Sequence, residues 1–125
     1  MRSEPVRILA FCLALLATAG LQIMNAVTAD PAHVAQIKST GSCAGCNLAG
    51  EDLSGLLAQG DLSHANFAGA KLYRALLQGA VLFGASFNGA DLSGANLEGA
   101  LDADLTGAIT DDKTTCPSGA KGPCN

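Results

Sequence analysis

Residues 62–100 read LSHANFAGAKLYRALLQGAVLFGASFNGADLSGANLEGA, and the spacing inside this stretch decides the fold. Leu62, Phe67, Leu72, Leu77, Leu82, Phe87, Leu92 and Leu97 recur at every fifth position without a break. Ala65, Ala70, Ala75, Ala80, Ala85, Ala90, Ala95 and Ala100 keep the same beat, and glycine follows most of the large residues two positions later. On an α-helix a step of five rotates the side chain by about 140°, which sprays the large residues around the whole cylinder and leaves no buried face. On a straight strand a step of five is odd, so successive large residues point to opposite faces. The repeated glycines weigh further against helix, at about 1 kcal/mol each relative to alanine. A chain that turns a corner every five residues satisfies the pattern, because each unit then directs one large and one small residue inward. Units that cannot bury their apolar side alone bury it by stacking, as in a solenoid.

Ala65-Asn66-Phe67-Ala68-Gly69, Ala90-Asp91-Leu92-Ser93-Gly94 and Ala95-Asn96-Leu97-Glu98-Gly99 resemble the A(D/N)LXX unit of the pentapeptide-repeat proteins, and the resemblance runs from about Asn47 to Ala108. It implies an all-β fold, a right-handed quadrilateral β-helix with four pentapeptides to each coil. About three coils are expected, stacked at roughly 4.8 Å into a column about 15 Å tall. Phe67 and Phe87 are 20 residues apart and are expected to stack on one face. Two departures break the beat. Leu48, Leu53 and Leu57 begin the series, but the step from Leu53 to Leu57 is four. After Leu97 the next large position falls on Asp102 and the phase resumes at Leu105, which predicts a bulge over 101–103.

The 125-residue chain reads as four segments: a signal peptide over 1–29, an N-terminal cap with a Cys-x-x-Cys motif over 30–46, the solenoid over 47–110, and a disulfide-closed tail over 111–125. Arg2 and Arg7 precede an apolar run from Ile8 to about Leu21, the charged-then-apolar order of an export signal and short for a bilayer span. Val27-Thr28-Ala29 places the cleavage site after Ala29, with Ala17-Thr18-Ala19 as a second candidate. An uncleaved anchor would need the run extended to Met24. Cys12 follows the bulky Phe11 early in the run, which does not suit lipidation. These features predict an exported protein, periplasmic or secreted, with no stable membrane anchor after cleavage. Asp30 as N-cap, Pro31 in the first turn, and Val34 and Ile37 on one side predict a short capping helix over the open edge of the first coil.

Two cysteine pairs flank the repeats: Cys43 with Cys46, and Cys116 with Cys124. In an oxidising compartment they are expected to form two local disulfides, the second worth roughly 2–3 kcal/mol through the unfolded chain's entropy. The form of Cys43-Ala44-Gly45-Cys46 also fits a thiol-disulfide redox protein, but the βαβ context of that chemistry is missing. A four-cysteine zinc site would require both pairs within about 2.3 Å of one ion, although they sit at opposite ends of the column.

The formal charge of −4 becomes −5 once two arginines and one glutamate leave with residues 1–29, and basic patches are absent, which disfavours nucleic acid as a partner. No catalytic constellation, cofactor motif or metal motif is present, so the protein is not expected to be an enzyme. Asp61, Asn66, Asp91 and Asn96 recur with the repeat and are expected at corners, bonded to local backbone. Asp102, Asp104, Asp111 and Asp112 form an acidic cluster without calcium-loop spacing and read as a solvated face. Six apolar residues are expected on the outside as a candidate contact surface: Tyr73, Phe83, Leu56, Leu76, Val81 and Leu101. The expected role is a non-enzymatic scaffold or protein-binding module, with an unknown protein partner or a homodimer. The resemblance alone adds a third reading, since some pentapeptide-repeat proteins look like DNA and protect DNA gyrase.

Overall fold

The structure is a computed structural model that describes residues 28–124, so the signal peptide and its cleavage sites lie almost wholly outside the described residues. Among the described residues the elements are one helix and a series of parallel one-residue bridges. The bridges connect residues 18–20 positions apart and fall into four columns. Face I holds Asn47, Asn66 and Ser86; face II holds Asp52, Lys71, Asp91 and Ile109. Face III holds Leu57, Leu76, Asn96 and Thr115; face IV holds Asp61, Val81 and Leu101. The chain thus winds as a β-helix with one pentapeptide per face. A corner at every fifth residue leaves only one residue per face bridged on both sides, which is why bridges rather than continuous strands are formed.

Each rung uses the same backbone bonds. Leu72 N–H donates to Asp91 O at 2.8 Å, while Asp91 N–H donates to Ala70 O at 2.9 Å, and the corner closes with Ala75 N–H on Leu72 O at 3.0 Å. The residue between bridge and corner points inward, so the eight large residues of the repeat are fully buried, and the alanines beside them with them. Phe67 and Phe87 stack with ring centroids 4.9 Å apart and planes within 3° of parallel, one coil above the other. The corner residue has a left-handed backbone, which glycine adopts without cost. His64 and Arg74 take the same conformation at φ 59° and 58° where the repeat lacks glycine. Gly84 is required for a second reason: a Cβ there would lie 2.5 Å from the ring of His64, which rests on it from the coil below.

The structure corrects the register of the first coil. Leu57 is 59 % exposed on face III, whereas Leu56 is 8 % exposed and fills an inward slot usually held by alanine. Leu56 therefore does not belong to the outer surface, and Leu57 is not an inward residue. Ala58 takes the large-residue slot, so the four-residue step lies between Ala58 and Leu62. Gly41, which caps the C-terminus of the neighbouring helix, packs closely on this backbone: a Cβ there would sit 3.3 Å from Leu57 O and 3.5 Å from Ala58 Cα. At the shortened corner Gly60 N–H donates to Gly41 O at 3.1 Å, and a Cβ on Gly60 would collide with Ser42.

Helix α1, Pro31–Thr40, begins at Asp30, whose side chain accepts Ala32 N–H at 2.9 Å, and ends at Gly41, whose N–H donates to Ile37 O. Ile37 is fully buried in the core and Val34 packs against it. The helix also serves the backbone of the first coil. His33 Nδ1 accepts Asn47 N–H at 2.9 Å, and Ser42 Oγ accepts Asp61 N–H at 3.2 Å. At the other end the chain folds back through an antiparallel bridge between Thr115 and Lys121, and Cys116 N–H donates to Ala120 O at 2.8 Å. Beyond the shortened corner at 58–62, the beat fails again after Leu101. Asp102 takes a left-handed backbone at φ 54°, and the regular corner returns with Ala108 N–H on Leu105 O.

The register makes opposite predictions for two adjacent leucines. Leu56→Ser should cost about 2–4 kcal/mol in urea unfolding, as a buried apolar side chain is lost and a hydroxyl is buried. Leu57→Ser should stay within about 0.5 kcal/mol. The reverse order would restore the register expected from the spacing alone.

Candidate functional site

The four faces differ chemically in their bridge residues. Face I carries neutral polar residues, and face II alternates Asp52, Lys71 and Asp91 before ending in Ile109. Faces III and IV are adjacent and carry Leu57, Leu76, Val81 and Leu101, with Phe83 following on the corner of face IV. Leu57, Leu76, Phe83 and Leu101 are exposed, and Val81 is half-buried between its neighbours. These residues sit in outward slots that other repeats fill with aspartate, asparagine or serine.

Of the six residues expected to form the outer surface, the structure brings four to this pair of faces: Leu76, Val81, Leu101 and Phe83. Leu56 is buried, as described above. Tyr73 is exposed but follows Lys71 on the corner of face II, half a coil away from Phe83. The two aromatics are held separately. The Arg74 guanidinium lies 5.3 Å from the Tyr73 ring centroid, and His64 meets Phe83 edge-to-face at 5.3 Å. Leu57 and Ile109 are exposed residues that the spacing did not single out; both follow from register shifts of one and two residues.

The repeating Asp and Asn side chains bond to backbone two residues ahead. Oδ1 accepts the amide of Ser63 at Asp61, of Ala68 at Asn66, of Ser93 at Asp91 and of Glu98 at Asn96. Hydroxyls add a second bond: Ser54 and Ser63 donate to Asp52 and Asp61, and Thr106 donates to Asp104. These hydroxyl bonds, followed by the backbone bonds, hold the carboxyls of Asp52, Asp61 and Asp104 below the ordinary value of 3.8. At Asp111 burial pushes the carboxyl up, and bonds from Gly94, Lys113 and Thr114 outweigh it, so the net direction is also down. Asp111 occupies a position that sequence reasoning missed. Its Oδ1 accepts Gly94 N–H at 3.0 Å, where other rungs offer a backbone carbonyl. Asp104 and Asp111 are thus engaged in their own turns, and among the described residues no group of three or more His, Cys, Asp or Glu side chains is arranged to hold a metal.

Cys43 bonds to Cys46 and Cys116 to Cys124, with Cα separations of 5.4 and 5.6 Å. Cys43 is fully buried and Cys46 is 4 % exposed, where it fills the small-residue slot ahead of Leu48. The CxxC motif is therefore built into the first coil. In the bonded state both sulfurs are packed away from solvent. No helix among the described residues is long and apolar enough to cross a membrane.

Residues 61–99 match the family model of the pentapeptide repeats in eight copies. The matched block coincides with the regular part of the columns of parallel bridges. The solved structures similar to this chain include the pentapeptide repeat protein Rfr23 from the cyanobacterium Cyanothece 51142, at 34% identity over 54% of this chain and 55% of Rfr23, with a TM-score of 0.41. They also include HetL, a pentapeptide repeat protein involved in heterocyst differentiation regulation from the cyanobacterium Nostoc sp. strain PCC 7120, at 43% identity over 60% of this chain and 40% of HetL, with a TM-score of 0.41. The chain thus spans about half the length of these relatives or less. No curated protein matches the chain.

The corner carboxylates predict the acid limit of the fold. A depressed folded-state value means that the bonds contribute fully above the unfolded value of 3.8 and are lost as pH falls below it. The urea midpoint should therefore be flat from about pH 5 upward and drop below about pH 4. Asp61→Asn keeps the acceptor oxygen but cannot titrate, and should make that drop smaller. A midpoint insensitive to acid would contradict the assignment.

Proposed function

We propose that this protein is a non-enzymatic binding module, exported from the cytoplasm, that presents faces III and IV of its coil to a protein partner or to a second copy of itself. The single observation that carries this reading is the apolar strip of Leu57, Leu76, Val81, Leu101 and Phe83 on adjacent faces of a coil whose other bridge columns are predominantly polar. Contiguous exposed apolar residues rimmed by polar ones are a mark of contact surfaces. A stacked coil suits that task, because its interior is closed by side chains and leaves the outward slots free to vary. Gln59 and Gln78 bond to each other at 3.1 Å beside the two leucines of face III and provide a polar border.

Two features support export. The two disulfides fit an oxidising compartment, and the N-terminal charge and apolar order fits a secretory signal. Mimicry of DNA draws no support from the surface. A DNA-like face needs regularly spaced negative charge, whereas face II alternates in sign and faces III and IV are largely apolar.

Cell fractionation should place the protein outside the cytoplasm, lacking its first 29 residues, with no free thiol among Cys43, Cys46, Cys116 and Cys124. Affinity capture and sedimentation on that mature protein should then reveal one specific partner or a dimer. Leu76→Ser combined with Leu101→Ser should weaken the association by at least about tenfold, because two central apolar contacts are removed. Tyr73→Ser, half a coil away, should leave it unchanged. Association that survives the double variant would refute the assignment of faces III and IV.

A further inference from the structure

The ladder of backbone bonds between coils is interrupted at one internal corner. At the other inward positions of the repeat, Phe67, Leu72, Leu77, Leu82, Leu92 and Leu97 donate their N–H to a carbonyl of the coil above. Phe87 N–H has no such partner among the described residues, although the residue is 1 % exposed. Gly84 N–H, just before the corner, likewise lacks the acceptor that Gly79 finds in Glu98, and Ala85 O lacks the donor that Ala80 O finds in Leu101. These three groups are consecutive in the rung pattern: donor, acceptor, donor. They face an open cleft of about 880 Å³ between the corner of faces IV and I and the chain at 102–106. The cleft exists because the residues that should cover this corner are diverted by the left-handed turn at Asp102.

Backbone groups left without a protein partner beside an open cleft can pair with an incoming chain at no loss of internal bonds. The missing rung has a definite shape. One residue of an incoming chain would donate its N–H to Ala85 O and accept from Phe87 N–H, and a carbonyl three residues earlier would accept from Gly84 N–H. Peptide backbone supplies that set and spacing, since it is what this chain's own Ser86 supplies to the coil below, with Ser86 N–H on Ala65 O, Phe67 N–H on Ser86 O, and His64 N–H on the carbonyl of Phe83 three residues earlier. An anion would accept from both N–H groups but would meet Asp102 and Asp104 on the cleft wall. Those carboxylates, with no cation among the lining residues, favour a positively charged side chain.

We propose that this notch binds a short peptide segment of a partner protein, which completes the missing rung with its own backbone and places a lysine or arginine beside Asp102. Phe83 forms one wall and offers apolar contact to the segment. The site is separate from the leucines of face III, and it stands whether or not that strip finds a partner.

Amide exchange and peptide titration of the isotope-labelled mature protein test it. In the free protein the amides of Gly84 and Phe87 should exchange much faster than those of Phe67 and Leu92. The probe is a capped octapeptide that copies residues 63–70 with lysine in place of the histidine at its second position, compared with the same peptide carrying glutamate there. The lysine peptide should shift and protect Gly84 and Phe87 in a saturable way, and the glutamate peptide should bind more weakly. Asp102→Asn should weaken the lysine peptide by about two- to fivefold, the range of an exposed ion pair, and leave the glutamate peptide no weaker than before. Gly84 and Phe87 amides as protected in the free protein as those of Phe67 would show that the corner is already closed. Titration shifts confined to Leu57 and Leu76, or no saturable binding of either peptide, would equally overturn the proposal.

Discussion

Everything in this molecule depends on the rung, in which a residue's N–H and C=O are spent on the coils above and below while its neighbour's side chain turns inward. Because the backbone bonds run along the axis, the cross-section is filled by one large and one small side chain per face. Along the regular repeat the large position is held by leucine or phenylalanine, and Phe67 over Phe87 shows how closely successive layers repeat. Outward slots carry no such demand. That decoupling lets Lys71, Leu76, Val81 and Ser86 follow one another on four faces of the same coil without disturbing the core.

A period of five is legible in sequence because only a chain with regular corners can put every fifth residue on the inside. The register of an irregular unit is not legible in the same way. In Leu56-Leu57-Ala58 the pattern prefers the larger Leu57 inward, since volume is what the core usually needs. The structure places Ala58 inward, where the end of α1 packs closely on the backbone of Leu57 and Ala58, a contact between parts of the chain that no local pattern encodes. From that shift follow both the burial of Leu56 and the presence of Leu57 on face III. The outer surface was legible only in part for a related reason. Tyr73 and Phe83 both follow an inward leucine, yet ten residues of a twenty-residue coil separate them by half a turn.

The ends of the coil show how the rung constraint is met where there is no further coil. His33 Nδ1 and Ser42 Oγ accept the amides of Asn47 and Asp61 at the first coil, and Asp111 Oδ1 accepts that of Gly94 near the last. In each case a polar side chain stands in for a missing backbone group. Thr114 is fully buried for the same purpose: its hydroxyl lies 3.0 Å from both Leu92 O and Asp111 Oδ1 and accepts Asp111 N–H. Sequence reading assigned Asp111 to a solvated acidic face because its type and neighbours are those of one. Its role is set by Gly94, seventeen residues away in the chain.

These substitutions bear on how the molecule can engage others. An open solenoid end is a strand edge, and unpaired edges invite addition of further chain. With α1 and its polar side chains over the first coil and the disulfide-closed Cys116–Cys124 hairpin folded back on the last, end-to-end growth is disfavoured and recognition is directed to the flanks. On the flanks, the fold offers two kinds of surface. One is made of side chains in outward slots, where leucine can replace asparagine, giving up its bond to the amide two residues ahead, while the coil is kept. The other is backbone, and it can arise only where a coil loses its beat, because an intact rung leaves no amide to offer. The turn at Asp102 is thus more than a flaw in the repeat: among the described residues it is the one internal place where this architecture exposes its own hydrogen-bonding pattern sideways.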